Sequence, residues 1–267
     1  MNTQKIIYLV VGLVAGFAVG FFFTNSVNRT EHDALRAEVA RLRAAAPKDA
    51  TTRNNASDNV GAPKGELTED ELRKAVAKGD SAPQDIALQR KLGQGLYLYA
   101  INFRHPDILP DAVRMLKRAH DAAPEDFETT LLLGNAHFDW AQGGDASHIA
   151  EARAYFQKAL DIKPDDAEAR TALGLTYYFD KPADAPRAIK EYRKSLAVNP
   201  KHEMTLQSLA AALITTGELA EAQRRIEELQ SVNPSNAALT DLRGQIAQKT
   251  NAMSGDPRAT DAAKERN

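Results

Sequence analysis

Histidine and aspartate, both common ligands of zinc, come close together at one place in this sequence. His137 and Asp139 stand two residues apart, and Asp145 and His148 follow shortly after. Two residues along a helix correspond to a rotation of roughly 200°, so His137 and Asp139 would point to different faces of a helix. Because these side chains do not converge, the sequence predicts no metal site here.

Other motifs of catalysis or cofactor binding are incomplete. His202-Glu203 begins the zinc-protease motif, but Leu206 stands where its second histidine is needed. Gly93-Gln94-Gly95 lacks the preceding strand and the third glycine of a dinucleotide-binding loop. No serine or threonine lies in a nucleophile elbow, and the absence of cysteine excludes thiol catalysis and disulfides. We therefore expect a protein that is not an enzyme and binds no cofactor.

The composition favours a helical protein without affinity for nucleic acid. The 267 residues include 34 Lys and Arg against 36 Asp and Glu, a formal net charge of -2. Nucleic-acid binding needs a basic surface, which this balance does not indicate. Alanine supplies much of the 43% apolar content, and only 6% of the residues are aromatic, which favours close packing of helices over a β-sandwich.

An uncharged run near the N-terminus predicts a transmembrane helix. Residues 6–23 follow a short tail of residues 1–5 and contain no charged side chain. As a helix the run would be roughly 27 Å long, close to the hydrocarbon thickness of a bilayer, about 30 Å. A cleaved signal peptide is the alternative, although the run is long for a signal and no Ala-x-Ala site follows it.

Two segments in this region have spacings suited to pairing with a second copy of the chain. Gly12, Gly16 and Gly20 recur every four residues, which lets two membrane helices approach closely, although glycine is common in such helices anyway. Residues 24–46 predict a short amphipathic or coiled-coil helix with an apolar seam. We therefore expect a homodimer through the transmembrane and coiled-coil segments. The seam comprises Leu35, Val39, Leu42 and Ala46.

A polar stretch separates these segments from a folded region. Residues 47–66 are rich in Asn, Asp, Ser, Thr, Gly, Ala and Pro, which predicts a disordered linker. Thr68 and Glu71 then have the spacing of a capping box, which predicts the start of a helix that ends at Gly79. We expect a helical domain over residues 67–250 and a disordered tail over 251–267.

Four prolines mark an internal repeat within this domain. Pro124, Pro164, Pro200 and Pro234 are separated by 40, 36 and 34 residues. An alanine stands twelve residues before each proline, and a large apolar residue stands eight residues before it. In the other half of each unit, a Leu-Gly or Leu-Ala pair places a small residue in mid-helix. The three columns are Ala112, Ala152, Ala188 and Ala222; Leu116, Phe156, Tyr192 and Ile226; and Gly134, Gly174 and Ala210.

This pattern resembles the tetratricopeptide repeat (TPR), a 34-residue pair of helices with small residues at the helix contact and a closing proline. The resemblance covers roughly residues 83–234 and implies an all-α, right-handed solenoid of antiparallel helix pairs, closed by a capping helix over 235–250. Extra residues at 142–148 and 180–185 fall between helices, and no repeat carries the usual tryptophan of the family. The implied repeat-packing residues are Gly134, Ala152, Phe156, Ala159, Gly174, Ala188, Tyr192, Ala210 and Ala222.

In TPR arrays the first helix of each pair lines a concave groove that binds peptide segments of partner proteins. The resemblance implies such a groove here, with Phe138 and Tyr178 as its best anchors, since exposed aromatic side chains dominate binding hot spots. The groove lacks the paired Lys and Asn side chains with which some repeat domains clamp a C-terminal carboxylate. Its implied residues are Arg90, Gln94, Tyr97, Glu128, Asn135, Phe138, Asp139, Thr171, Tyr178, Met204 and Gln207.

The whole layout predicts a membrane-anchored scaffold that holds a protein or peptide client near the bilayer. It resembles the bacterial cytochrome c biogenesis factors that present TPR repeats to the apocytochrome tail, which implies the bacterial inner membrane and a periplasmic repeat domain. The positive-inside rule argues for the cytoplasm, since only Lys5 precedes the apolar run and four arginines follow it. The alternative function is a structural subunit of a cell-envelope complex, such as a secretion, pilus or outer-membrane assembly machine.

Overall fold

The computed structural model describes residues 67–254, and this part of the chain contains α-helices, one short 3-10 helix and turns, without a strand. The all-α class is therefore confirmed for these residues. Within them no helix is both long and apolar enough to cross a bilayer. The predicted segments at 1–5, 6–23, 24–46 and 47–66, with Gly12, Gly16 and Gly20, lie outside the described residues, as do residues 255–267 of the predicted tail.

The helices follow one another with short connections. In chain order they are α1 (Glu69–Ser81), α2 (Ile86–Phe103), α3 (Leu109–Ala122), α4 (Phe127–Gln142), α5 (His148–Ile162), α6 (Ala167–Tyr178), α7 (Ala185–Val198), α8 (Glu203–Thr216), α9 (Leu219–Val232) and α10 (Ala238–Ser254), with a 3-10 helix at Pro106–Ile108. We refer to α2, α4, α6, α8 and α10, which follow a proline turn, as first helices, and to α3, α5, α7 and α9 as second helices.

The described residues form two compact units, at 67–139 and 140–254, and helix α4 begins in one and ends in the other. In the N-terminal unit, α2 packs mainly against α3 and also contacts α1. In the C-terminal unit, α6 packs against α7, and α8 packs against both α7 and α9. Helix α10 covers α8 and α9. Each unit is thus built from the helix pairs that the repeat pattern predicts.

The same proline turn precedes every first helix. The carbonyl oxygen of the residue before the proline accepts a hydrogen bond from the N–H three residues later, at 3.0–3.2 Å. Proline suits the second position of such a turn because its φ is fixed near the required value. Asp85 Oδ1 then caps α2 by accepting from the Leu88 N–H at 3.0 Å, and Asp166 Oδ1 caps α6 through the Ala169 N–H at 2.8 Å. The turn prolines are Pro83, Pro124, Pro164, Pro200 and Pro234.

The predicted start of α1 is confirmed, but its predicted end is wrong. Thr68 Oγ1 accepts from the Glu71 N–H at 3.3 Å, and the Glu71 carboxylate accepts from the Thr68 N–H at 2.9 Å, which completes the capping box. The helix continues through Gly79 to Ser81. Gly79 serves close packing, because a Cβ there would lie 2.4 Å from Met115 Cε. At the other end of the domain, α10 extends to residue 254, four residues beyond the predicted boundary.

Small residues of the first helices lie against large residues of the second helices. A Cβ on Gly174 of α6 would lie 2.5 Å from Tyr192 Cε1 of α7. A Cβ on Gly93 of α2 would lie 2.8 Å from Leu116 Cγ of α3 and 3.1 Å from the Ala112 oxygen. This contact leaves no room for a side chain. All the implied repeat-packing residues are buried: Gly134, Ala152, Phe156, Ala159, Gly174, Ala188, Tyr192, Ala210 and Ala222.

Polar side chains fill most of the positions at which the family carries tryptophan, four residues before the small residue. Gln89 is fully buried and its Nε2 donates to the carbonyl oxygens of Gly79 and Ala82, at 2.7 and 2.9 Å. Arg170 donates to the Pro164 carbonyl and pairs with Glu191 at 3.3 Å. These side chains tie the starts of α2 and α6 to the turns before them.

Candidate functional site

Helices α4 and α8 are mostly buried, and each leaves part of one face open to solvent. In α8 the open part is a stripe of Met204, Gln207, Ala211 and Thr215, which are spaced by three or four residues and so share one helix face. The first three are partly exposed and Thr215 is exposed, while the intervening residues between 205 and 214 are buried. Helix α8 therefore offers one line of contact to a ligand.

Helix α4 leaves the first and last positions of this stripe open, whereas its middle positions, Leu131 and Asn135, are buried. Glu128 is exposed, and Leu132 and Asp139 are partly exposed. Glu128 lies four residues after its proline turn, as Met204 does, and Asp139 lies fifteen residues after it, as Thr215 does. We refer to these positions as the first-helix stripe. The two end positions of the stripe are thus open in one first helix of each unit.

In the N-terminal unit, two contacts align α2 with α4 in the same direction. Arg90, near the start of α2, pairs with Asp126 just before α4 at 3.6 Å. Further along both helices, the Tyr97 hydroxyl donates to Asp139 Oδ2 at 2.7 Å. Burial raises the pKa of the Asp139 carboxyl to about 6, against the lowering effect of the Tyr97 hydrogen bond. The stripe of this unit therefore ends in a desolvated carboxyl group.

In the C-terminal unit, α6 and α8 are joined by a bridge in the same register. The hydroxyls of Tyr178 and Thr215 are hydrogen-bonded at 3.1 Å. Tyr97 and Tyr178 both lie fourteen residues after their proline turns, and Asp139 and Thr215 both lie fifteen residues after theirs. We refer to this contact as the tyrosine bridge. The partners of the two tyrosines differ in chemistry, since Asp139 is a carboxylate and Thr215 carries a hydroxyl.

The structure places the implied groove residues in three environments. Arg90 and Glu128 are exposed; Gln94, Asp139, Tyr178, Met204 and Gln207 are partly exposed; Tyr97, Asn135, Phe138 and Thr171 are buried. The expectation that Phe138 is an exposed anchor is wrong, because only 4% of its surface is accessible. Tyr97 is buried with its hydroxyl turned to Asp139, and Asn135 retains 8% exposure. Tyr178 keeps part of its ring open.

Thr171 is not available to a ligand either, because it belongs to a buried hydroxyl cluster between α6, α7 and α8. Its Oγ1 lies 2.9 Å from Ser195 Oγ and 2.6 Å from Thr205 Oγ1, and all three residues are fully buried. His202 Nδ1 contacts Thr205 Oγ1, and burial lowers the pKa of this imidazole. A network in which every hydroxyl is bonded fixes the register of three helices. It offers no route to catalysis, since no substrate can reach the hydroxyl oxygens.

The histidines and aspartates near the α4–α5 connection do not form one site. His137 is buried, whereas Asp139 is bonded to Tyr97. His148 stacks on Trp140, with ring centroids 3.7 Å apart, and its Nε2 lies 3.6 Å from the Asp145 carboxylate. Between residues 67 and 254, no group of three or more His, Asp or Glu side chains could hold a metal ion.

The second helices of the C-terminal unit carry a separate apolar feature. A shallow cavity of about 350 Å³ lies where the end of α7 and the following turn meet α9. Val198, at the end of α7, and Val232, which lines the cavity, are large apolar side chains that are 42% and 36% exposed. The cavity is lined by Leu196, Pro200, Lys201, Arg225, Glu228, Ser231 and Val232.

Comparison with known proteins gives partial similarities. No protein-family model matches the sequence. Over 124 residues, 45% of this chain and 26% of the relative, the sequence is 35% identical to the probable biofilm formation methyltransferase WspC of Pseudomonas putida. Over 171 residues, 62% of this chain and 12% of the relative, it is 29% identical to the cellulose synthase 2 operon protein C of Komagataeibacter xylinus. The chain thus spans well under half the length of either relative.

Among solved structures the chain is similar to MamA, with a TM-score of 0.49 and 22% identity over 62% of this chain and 89% of that one. It is also similar to TTC0263, a TPR protein of Thermus thermophilus, with a TM-score of 0.49, 18% identity and coverage of 67% and 89%. It is similar as well to YrrB, a TPR protein with an unusual peptide-binding site, with a TM-score of 0.45 and 13% identity over 66% of this chain and 89% of that one. The helix pairs, the proline turns and the small-residue contacts of the chain itself make its described part an array of TPR-like repeats.

Proposed function

We propose that the repeat region is a scaffold that binds a peptide segment of a client protein along the first-helix stripes. The observation that carries this proposal is that α4 and α8, which are otherwise mostly buried, leave the same two register positions open: Glu128 and Met204 near the start, Asp139 and Thr215 near the end. Neighbouring helices cover most of the surface of α8. The stripe instead keeps hydrogen-bonding groups such as Gln207 and Thr215 accessible beside a flexible apolar side chain, Met204. Such a mixture suits an extended or helical peptide.

A charged, bulky side chain on the stripe should block this binding. We expect Gln207→Arg to weaken the binding of peptides selected from a random display library on the full chain by about tenfold or more, because it changes the centre of the α8 stripe. The matched control is Gln223→Arg, the same substitution at an exposed position of the second helix α9. Affinities are measured by fluorescence anisotropy. Equal affinities of both variants and the unsubstituted chain would exclude the stripe as the binding face.

A structural subunit of a cell-envelope complex is the second candidate. The exposed Val198 and Val232 on the second helices support it, and so does the similarity to a protein named for a cellulose synthase operon. Under this function the second-helix side makes the contacts. Val232→Asp would then release the partner subunits, while Gln207→Arg would leave the complex intact. The two variants therefore separate the two candidates.

We further propose that residues 6–23 anchor the scaffold in a bacterial inner membrane, with the repeats in the periplasm. An apocytochrome c tail is then the first client to test. The support for this proposal is the uncharged run and the resemblance of the layout to cytochrome c biogenesis factors. We expect alkaline phosphatase fused after Asn267 to be active in a bacterial host, and a cytoplasm-active fluorescent protein at the same place to stay dark. The reverse pattern would place the repeats in the cytoplasm and exclude this client.

A further inference from the structure

We propose that Asp139, held in place by Tyr97, binds a lysine or arginine side chain of the client peptide. This inference rests on the proposed function and adds to it the chemistry of the client: a basic residue seated on the first-helix stripe of the N-terminal unit. No such preference follows from the TPR resemblance, which implied a groove of mixed charge.

The Asp139 carboxylate is incompletely paired within residues 67–254. Tyr97 donates one hydrogen bond to Oδ2, and part of the Asp139 surface remains open to solvent. The surrounding protein is nevertheless dense enough that burial dominates the pKa of this carboxyl. A carboxylate that has lost much of its hydration is costly unless a cation or several donors replace the lost water.

Three other partly exposed carboxylates of the described residues each have an arginine partner. Asp180 pairs with Arg153 at 2.6 Å, Glu191 with Arg170 at 3.3 Å, and Glu221 with Arg193 at 2.8 Å. Asp139 makes no ion pair within residues 67–254. The fold therefore supplies a cation to these three carboxylates and supplies none to Asp139 from residues 67–254.

The two tyrosine bridges differ in the charge of the residue that the tyrosine contacts. At the register position of Asp139, the C-terminal unit has Thr215, and its hydroxyl bonds Tyr178 just as Asp139 bonds Tyr97. A neutral side chain is thus sufficient for the bridge between first helices. The negative charge of Asp139 is therefore not needed to join α2 to α4. It serves instead to bind a lysine or arginine side chain of the client peptide.

The remaining charges on this stripe fit the same partner. Glu128 lies on the same face of α4 and is exposed. Arg90 of α2 pairs with Asp126. Glu128 and Asp139 give this face of α4 two carboxylates, which attract a basic peptide and repel an acidic one. Gln94, partly exposed one turn before Tyr97, adds an amide that can bond a peptide backbone.

The test uses the full chain and random peptides displayed on phage, selected in parallel on the unsubstituted protein and on Asp139→Thr. Threonine is the residue that forms the bridge in the other unit, so the substitution removes the charge and keeps a partner for Tyr97. We expect peptides selected on the unsubstituted protein to be enriched in Lys or Arg at one fixed position. These peptides should bind Asp139→Thr about tenfold more weakly or worse, as expected when one partner of a desolvated charge pair is removed.

A substitution in the peptide, combined with Asp139→Thr in the protein, completes a double-mutant cycle. Replacing the enriched basic residue by glutamine should weaken binding to the unsubstituted protein by a similar factor, and should have little effect on binding to Asp139→Thr. Selected peptides without a basic position, or basic peptides that bind Asp139→Thr undiminished, would overturn this inference and leave the proposed function standing. If no peptide is selected on either protein while both give the circular dichroism of a folded helical chain, the proposed function fails and this inference fails with it.

Discussion

Alanine in place of Gly174 is expected to lower the free energy of unfolding by about 1–3 kcal/mol, the range for overpacking a close helix contact. The new Cβ would lie 2.5 Å from Cε1 and 2.7 Å from Cδ1 of Tyr192. The ring cannot move away easily, because Tyr192 is 0% exposed. Helices α6 and α7 would have to separate, which also disturbs the Ser195 hydroxyl cluster between them.

The same substitution at Gly244 should have the opposite effect. Gly244 lies inside α10, ten residues after Pro234, in the register of Gly174 after Pro164. No second helix of the described chain covers it, and an added Cβ would meet nothing within 4 Å. Replacing an exposed mid-helix glycine by alanine stabilises by about 0.5–1 kcal/mol, since glycine loses more backbone entropy on folding. Gly244→Ala is thus a matched control with a change of opposite sign.

Urea unfolding followed by far-UV circular dichroism measures both variants. The expected order of midpoints is Gly244→Ala above the unsubstituted chain and Gly174→Ala below it. If Gly174→Ala unfolds at the same urea concentration as the unsubstituted chain, the close packing of α6 against Tyr192 is not present in solution. A midpoint of Gly244→Ala below that of the unsubstituted chain would mean that another element covers this face of α10.

The sequence predicts the repeat unit well, because its marks are local. A proline that cannot continue a helix and a small residue at a helix contact each constrain the chain within one repeat. The pairing of helices and the buried state of Tyr192 and Phe156 follow from the spacing. One further local signal was available: the residue two positions after the turn proline is Asp85, Asp126 or Asp166 in three of the turns, and it starts the next helix.

The exposure of the groove residues could not be predicted in the same way. Helix register gives the direction of a side chain, but the neighbours that cover it come from elsewhere in the chain. Thr171 points as expected and is still enclosed, because Ser195 and Thr205 meet it from two other helices. Tyr97 and Asp139 are 42 residues apart, and their contact becomes visible in the sequence only when successive repeats are aligned on their prolines.

Removing the negative charge of Asp139 is expected to stabilise the folded chain at high pH. At pH 8 the substitution Asp139→Asn should raise the free energy of unfolding by about 1–3 kcal/mol, since each pKa unit between folded and unfolded states is worth about 1.4 kcal/mol and partial exposure reduces the total. Burial raises the folded-state pKa of Asp139 to about 6, above the ordinary aspartate value of 3.8. Asparagine retains an oxygen that accepts the Tyr97 hydrogen bond and carries no charge to desolvate.

The sign of the pH dependence follows from that shift. Between pH values of about 4 and 6, the folded state holds a proton on Asp139 that the unfolded state has released, so acidification favours the folded form through this group. Other carboxyls act in the opposite direction: arginine partners lower the pKa of Asp180 and of Glu221. The difference between Asp139→Asn and the unsubstituted chain removes these contributions. It should be largest above pH 7, shrink as the pH falls through about 6, and vanish near pH 4.

Urea midpoints at pH 4, 6 and 8 test this dependence, with Asp165→Asn as the control at an exposed aspartate of the turn before α6. The control should shift stability by a similar small amount at every pH. A stability difference for Asp139→Asn that does not change with pH would mean that the carboxyl is solvated, and the argument for a cation-binding role would lose its physical basis.

A gain in stability confined to high pH would show that the fold tolerates a destabilising charge at residue 139. Threonine, which stands at the corresponding residue 215, would serve the contact between the helices as well. Retention of such a charge is expected where a ligand neutralises it, and a bound basic peptide should then reduce the stability gap between Asp139→Asn and the unsubstituted chain.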